Sequence, residues 1–115
     1  MLKPQLLEAD AIVLVTPIYY FTMTSQIKTV IDRFYGLNPM IGNIRSKKQK
    51  AILITVQGQP SESISAPLMM TFQYICDFFN WQDAGQIHAT NVLTPGSIVN
   101  TDYVNGAYLL GKNLK

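Results

Sequence analysis

The stretch from Ala11 to Gly36, AIVLVTPIYYFTMTSQIKTVIDRFYG, restricts the fold more than any other part of the chain. Ala11 to Val15 is apolar at every position and β-branched at Ile12, Val13 and Val15. A strand apolar on both faces belongs inside a parallel sheet with helices above and below it. Thr16-Pro17 ends the strand, because proline donates no ladder hydrogen bond and biases the residue before it to an extended form. Thr24 or Ser25 then serves as an N-cap, and Ile27, Val30, Ile31 and Phe34 follow at i, i+3, i+4 and i+7, an apolar helical stripe. Gly36 suits the residue after the helix. A buried strand that delivers a loop to a helix N-terminus is where open α/β sheets place their ligands.

The rest of the chain repeats the plan. Leu2 to Ala9 reads as the last turns of a helix, and Leu37 to Gln49, with Asn38, Pro39, Gly42, Asn43 and Ser46, reads as a long loop. Ala51 to Val56 is a second buried strand, followed by a Gln57-Gly58-Gln59-Pro60 turn. Ser61, Ser63 or Ser65 caps the next helix, whose buried face is Leu68, Phe72, Ile75, Cys76 and Phe79. Ala84 to Val92 is a third, more polar strand that suits a sheet edge, and Thr101 or Asp102 caps a last helix with Ala107, Leu110 and Leu114 inward. Three β-α rounds imply a parallel sheet with right-handed crossovers and an α/β fold. In so thin a sheet the Ala11–Val15 strand becomes an apolar edge, which soluble proteins normally cover. A partner is therefore expected over residues 11–15, either a second copy in a homodimer or a separate N-terminal piece.

Composition narrows the chemistry. At 115 residues with 48% hydrophobic and 14% charged, the chain is sized for one globular domain. A net charge of +2 is too small to point to nucleic acid or a membrane. The cluster Arg45, Lys47, Lys48 and Lys50 reads as solvated surface before a strand. Cys76 and His88 are the only residues of their kinds, so no metal cluster and no internal disulfide is expected, and both read as structural. With no transmembrane-length apolar run and no signal-peptide pattern, the expected location is the cytoplasm.

The strand, T-P-I-Y-Y-F, a short polar spacer and Q-I-K-T-V-I-D-R closely resemble the third strand, ring-binding loop and following helix of flavodoxin-like NAD(P)H-dependent FMN reductases. AILITVQGQ is similar to their fourth strand and its Gly-bearing loop, and ICDFFNWQDAGQIHA to the fourth helix and fifth strand. The resemblance implies a three-layer α/β/α domain over residues 1–115 that carries strands equivalent to the third, fourth and fifth. The first two β-α units and the phosphate loop between them have no counterpart, nor has the cysteine cluster of iron-sulfur flavoproteins. It also implies FMN as cofactor, NAD(P)H as donor and a quinone, azo, nitro or flavin acceptor.

The implied ring contacts are Thr16, Pro17, Ile18, Tyr19, Tyr20, Phe21 and Gly58. Pro17 stiffens the strand exit, the three aromatics offer flat apolar faces, and Gly58 allows close approach. No catalytic acid or base is expected, because the cofactor carries the chemistry. Lys28, Asp32 and Arg33 match the pattern but suit a surface ion pair or subunit contact. The alternative is a non-catalytic domain that pairs through residues 11–15 and binds little or no flavin.

Overall fold

A computed structural model describes residues 2–114. In chain order the elements are α1 (Leu2–Glu8), β1 (Ala11–Pro17), α2 (Ser25–Asp32), a 3-10 helix (Arg33–Met40), α3 (Ile41–Lys47), β2 (Lys50–Val56), a 3-10 turn (Glu62–Ser65), α4 (Ala66–Phe79), β3 (Gln82–Ala89) and α5 (Asp102–Lys112). The three strands form one parallel sheet in the order β1-β2-β3, so β2 is central and β1 and β3 are edges. This is the expected α/β arrangement of parallel strands and flanking helices.

Alternation along the strands sorts the sheet into two faces. Leu14 and Thr16 of β1 align with Leu53 and Thr55 of β2, and all four are buried. Leu14 and Leu53 join Leu68, Phe72, Cys76 and Phe79 of α4 in one core cluster, with Ile27, Val30 and Ile31 of α2 packed against it. The apolar stripes read from the sequence on α2 and α4 are those that face the sheet. On the opposite face Val13 and Val15 remain 48% and 55% exposed, while Ile52 beside Val13 is buried. α5 lies on this side, against β3. The ladder skips Ala84 between Ala51↔Asp83 and Ile52↔Gly85, a bulge that puts Gly85 at φ 147° under Leu110. A Cβ at Gly85 would lie 2.4 Å from Leu110 Cδ1, so glycine allows α5 to seat. Ala107, Leu110 and Leu114 are half-buried, and α5 has no fully buried residue.

The segment 37–49 corrects the sequence reading. It is mostly helical, and Gly36 lies inside the 3-10 helix rather than after α2, which ends at Asp32 with Arg33 as C-cap. Leu37 and Ile44 are buried and Ile41 packs on the core, a helical spacing whose burial outweighs the poor propensity of Pro39, Gly42 and Asn43. α3 stops where Lys48 turns left-handed, at φ 51°. The basic cluster does structural work here. Lys47 donates to the carbonyls of Leu7 and Glu8 at the end of α1, and Arg45 Nε donates to the Phe78 carbonyl at 2.7 Å. Buried Gln49 completes the join: its Nε2 donates to the Leu6 and Ala9 carbonyls, and its Oε1 accepts from Trp81 Nε1 at 3.0 Å. The third strand also begins earlier than its pattern suggests, where the Gln82 amide donates to the Gln49 carbonyl, and ends earlier, before Asn91, at φ 59°, turns the chain.

Candidate functional site

Parallel strands deliver their C-terminal loops to one end of the sheet, and here that end carries every implied ring contact, Thr16 to Phe21 and Gly58. Thr16, 1% exposed, closes the loop after β1 by accepting from the Thr24 amide at 3.1 Å and donating to the Pro17 carbonyl at 2.8 Å. Thr24 in turn caps α2 by accepting from the Ile27 amide. The Ile18 amide donates to the Val56 carbonyl at 2.9 Å, which ties this loop to β2. Between those ties Tyr19 and Thr22 exchange backbone hydrogen bonds of 3.0 and 3.3 Å around Tyr20 and Phe21.

That tight turn holds both central residues left-handed, Tyr20 at φ 48° and Phe21 at φ 72°. Glycine or asparagine normally fills such positions, and a bulky residue there costs roughly 1–3 kcal/mol. Two adjacent aromatics in this conformation, with Tyr20 95% exposed, gain nothing in core burial that would repay the strain. Strain of this kind concentrates at ligand clamps and active sites.

Across from the turn stands the loop after β2. The Gln57 amide donates to the Ala89 carbonyl, and the Gln57 carbonyl accepts from the Val92 amide, so β3 holds this loop from behind. Gln57 Nε2 donates to the carbonyls of Gln59 and Ser61 at 3.0 and 2.6 Å, which folds residues 57–61 into a compact turn. Gln57 Oε1 is buried with no partner among the described residues, the kind of orphaned acceptor that costs about 1–3 kcal/mol. A Cβ on Gly58 would meet Leu93 Cδ2 at 2.9 Å, so the turn lies close against the 90–101 loop.

Ile18, Tyr20, Phe21, Gln57, Gly58, Gln59 and Ile64 line an open cavity of about 330 Å³ between the two loops. Of the sequence-predicted residues, Ile18, Tyr20, Phe21 and Gly58 meet there. Thr16 and Pro17 lie behind it as the frame of the loop, and Tyr19 does not line it. Sequence reasoning missed Gln57, Gln59 and Ile64, although the first two flank Gly58 and were within reach of that signal. The cavity is at the small end of the range for ligand sites, roughly 300–1,000 Å³. Its apolar and aromatic walls, with the backbone of the 57–59 turn at one edge, fit one side of a flat heteroaromatic ring. No lysine or arginine lines it.

The two reactive side chains sit elsewhere. Cys76 is buried in α4, and burial first, then Asp83 and Asp77, push its thiol up to about 12. At neutral pH it is a protonated apolar filler. His88 Nδ1 lies 2.7 Å from Thr55 Oγ1 and Nε2 lies 2.8 Å from Gln86 Oε1. Those partners suit a neutral imidazole with its proton on Nε2, and burial lowers the His88 pKa against the pull of Glu62 and Asp83. Among the described residues no His, Cys, Asp and Glu cluster is placed to hold a metal, and no helix is long and apolar enough to cross a membrane.

Comparison with known proteins gives the fold and the family. The Trp repressor binding protein from Bacillus subtilis superposes with a TM-score of 0.81 at 25% identity, over 97% of this chain and 74% of that one. A tryptophan halogenase from Streptomycin violaceusniger (TM-score 0.70, 19% identity, 98% and 71% covered) shares the fold. So does an NADPH-quinone reductase from P. pentosaceus (TM-score 0.69, 14% identity, 98% and 73% covered). No curated protein matches the chain. The family described as NADPH-dependent FMN reductase matches residues 1–87, which takes in both loops of the cavity. The chain belongs to the NADPH-dependent FMN reductase family.

Proposed function

We propose that the cavity between the 16–23 and 57–61 loops holds the isoalloxazine ring of FMN, in a reductase that takes electrons from NAD(P)H. The observation that carries this reading is the strained Tyr20–Phe21 turn facing Gly58 across an apolar cavity at the C-terminal end of a parallel sheet. Ile18, Tyr20 and Phe21 pack against the ring, while the backbone groups of Gln57, Gly58 and Gln59 bond its polar edge and set its orientation. Thr16 and Pro17 fix the loop from behind, and Tyr19 pins the turn through its backbone. FMN, when bound, supplies the hydride-transfer chemistry, so these residues bind, orient and exclude water. The electron acceptor is a small quinone, azo, nitro or flavin compound that reaches the open side.

FMN titration of the purified protein tests this: binding quenches flavin fluorescence, and NAD(P)H oxidation follows. Phe21→Ala is expected to weaken binding roughly tenfold, the loss of one stacked aromatic of about 1.5 kcal/mol. Flavin fluorescence unchanged at saturating protein overturns the reading.

A second reading is favoured by the exposure of Val13 and Val15 on an edge strand. There the chain is a non-catalytic domain that pairs through β1, with a second copy or a separate N-terminal piece. A colourless protein that ignores FMN, and whose assembly is broken by Val15→Lys, selects it.

A further inference from the structure

A groove of about 470 Å³ runs along the flank of α2 that faces α1, and it shares no lining residue with the cavity between the two loops. Leu2 and Lys3 of α1 stand on one side, Val30 of α2 and Arg33 on the other. Leu6, Phe34 and Leu37 form the floor, and all three are buried. The hydrogen bonds that fasten α1 are at its far end, where Gln49 and Lys47 hold the carbonyls of Leu6, Leu7, Glu8 and Ala9. Leu2, at the other end, is 46% exposed beside the groove.

The polar groups along this groove are few and of one kind. Lys3 and Arg33 line it, one from each side, and no acid does. Neither cation forms an ion pair among the described residues, whereas Lys28 is paired with Asp32 and Lys47 with Asp10. Asp32, although next to Arg33 in sequence, lines the opposite flank of α2, towards α4. The Thr29 hydroxyl donates to the Ser25 carbonyl at 2.8 Å, so its proton is already taken. The side-chain donors left to a ligand are therefore one ammonium and one guanidinium above an apolar floor.

We infer that this groove binds a small amphipathic anion, a carboxylate on an apolar body of the medium-chain fatty-acid kind. Charge complementarity sets the head: the Arg33 fork matches a carboxylate in two-point geometry, and Lys3 adds a point charge from the facing wall. The floor sets the body, because an aliphatic chain laid over Leu6, Phe34 and Leu37 also covers the exposed Leu2 side chain. The volume is within the range of small-molecule sites, roughly 300–1,000 Å³. Neither half suffices alone. Exposed ion pairs in water are weak, so the head needs the apolar contact for affinity, and the apolar body needs the cations for orientation and selectivity. A bare inorganic anion leaves the floor uncovered, and an uncharged apolar molecule leaves both cations unmatched.

Amide chemical-shift titration of the purified protein with octanoate tests the inference. The expected result is saturable shifts centred on residues 2–6 and 29–37, with a dissociation constant at or below about 1 mM. Lys3→Gln and Arg33→Gln are each expected to weaken binding roughly threefold to tenfold, and added salt weakens it further. Lys112→Gln, at an exposed position on α5, leaves it unchanged. Octanol, with the same chain and no charge, is expected to bind at least about tenfold more weakly. Should Arg33→Gln disturb the spectrum of the free protein, Lys3→Gln and the octanol comparison carry the test. Shifts that do not saturate, or that centre on the 16–23 and 57–61 loops, overturn the inference. So does binding that ignores either substitution, or octanol binding as tightly as octanoate.

Discussion

The two faces of the sheet are built from the same strands yet finished to different degrees. On one face, Leu14, Leu53 and Thr55 lie under α2 and α4, and Phe72 and Cys76 are each 1% exposed. On the other, α5 covers β3 without one fully buried residue, and Val13 and Val15 of β1 stay in contact with solvent. The difference teaches that this chain's stability and its open surface come from opposite sides of one sheet. The core is the α4 layer; the α5 layer is a place where something more can be added.

Substitutions on the two faces should therefore cost very different amounts. Phe72→Ala, in the packed layer, is expected to lower unfolding free energy by about 3–5 kcal/mol in urea melts. Leu110→Ala, in the α5 layer, removes a half-buried side chain and is expected to cost about 1–2 kcal/mol. Equal losses at the two sites would erase the contrast between the faces. At the sheet's C-terminal end the sign reverses: Tyr20→Gly relieves a left-handed aromatic and should raise stability by about 0.5–1 kcal/mol while weakening flavin binding. A destabilised glycine variant would show that the turn is held by packing rather than strained. Val15→Lys should change stability in the isolated monomer by less than about 0.5 kcal/mol, since the side chain is more than half exposed.

The smallest effect concerns pH and sharpens the same contrast, because His88 aligns with Thr55 in the packed layer. Its folded pKa lies below the ordinary 6.5, so the unfolded chain takes up the proton first as pH falls. Stability is full above that value and declines as pH drops through 6.5 toward the folded pKa. In His88→Gln that part of the acid dependence should vanish, which melts at a series of pH values would reveal. Cys76, by contrast, is expected to ignore thiol reagents until the protein unfolds.

Much of this was legible beforehand. The continuous apolar runs 11–15 and 51–56, the caps at Thr24 and Thr101, and the stripe Leu68, Phe72, Cys76, Phe79 carry strong local signals, and each lies where its period puts it. Ile18, Tyr20, Phe21 and Gly58 were grouped by the family resemblance, and they line one cavity because β1 and β2 are adjacent parallel strands. The helical character of 37–49 was not legible, since Pro39, Gly42 and Asn43 argue for a loop and only the burial of Leu37 and Ile44 overrules them.

By itself, the order of apolar runs and breakers determined that this chain is a parallel α/β unit whose strands end in an aromatic loop and a glycine turn. Those are local properties, set by side-chain period, proline and capping chemistry. Tertiary structure alone decided which side of each strand is buried, that Tyr20 and Phe21 must be held left-handed, and that Gln57 rather than Tyr19 borders the cavity. Each of these depends on how distant segments divide a limited core. That division is a competition for burial across the whole molecule, and no local window of sequence contains it.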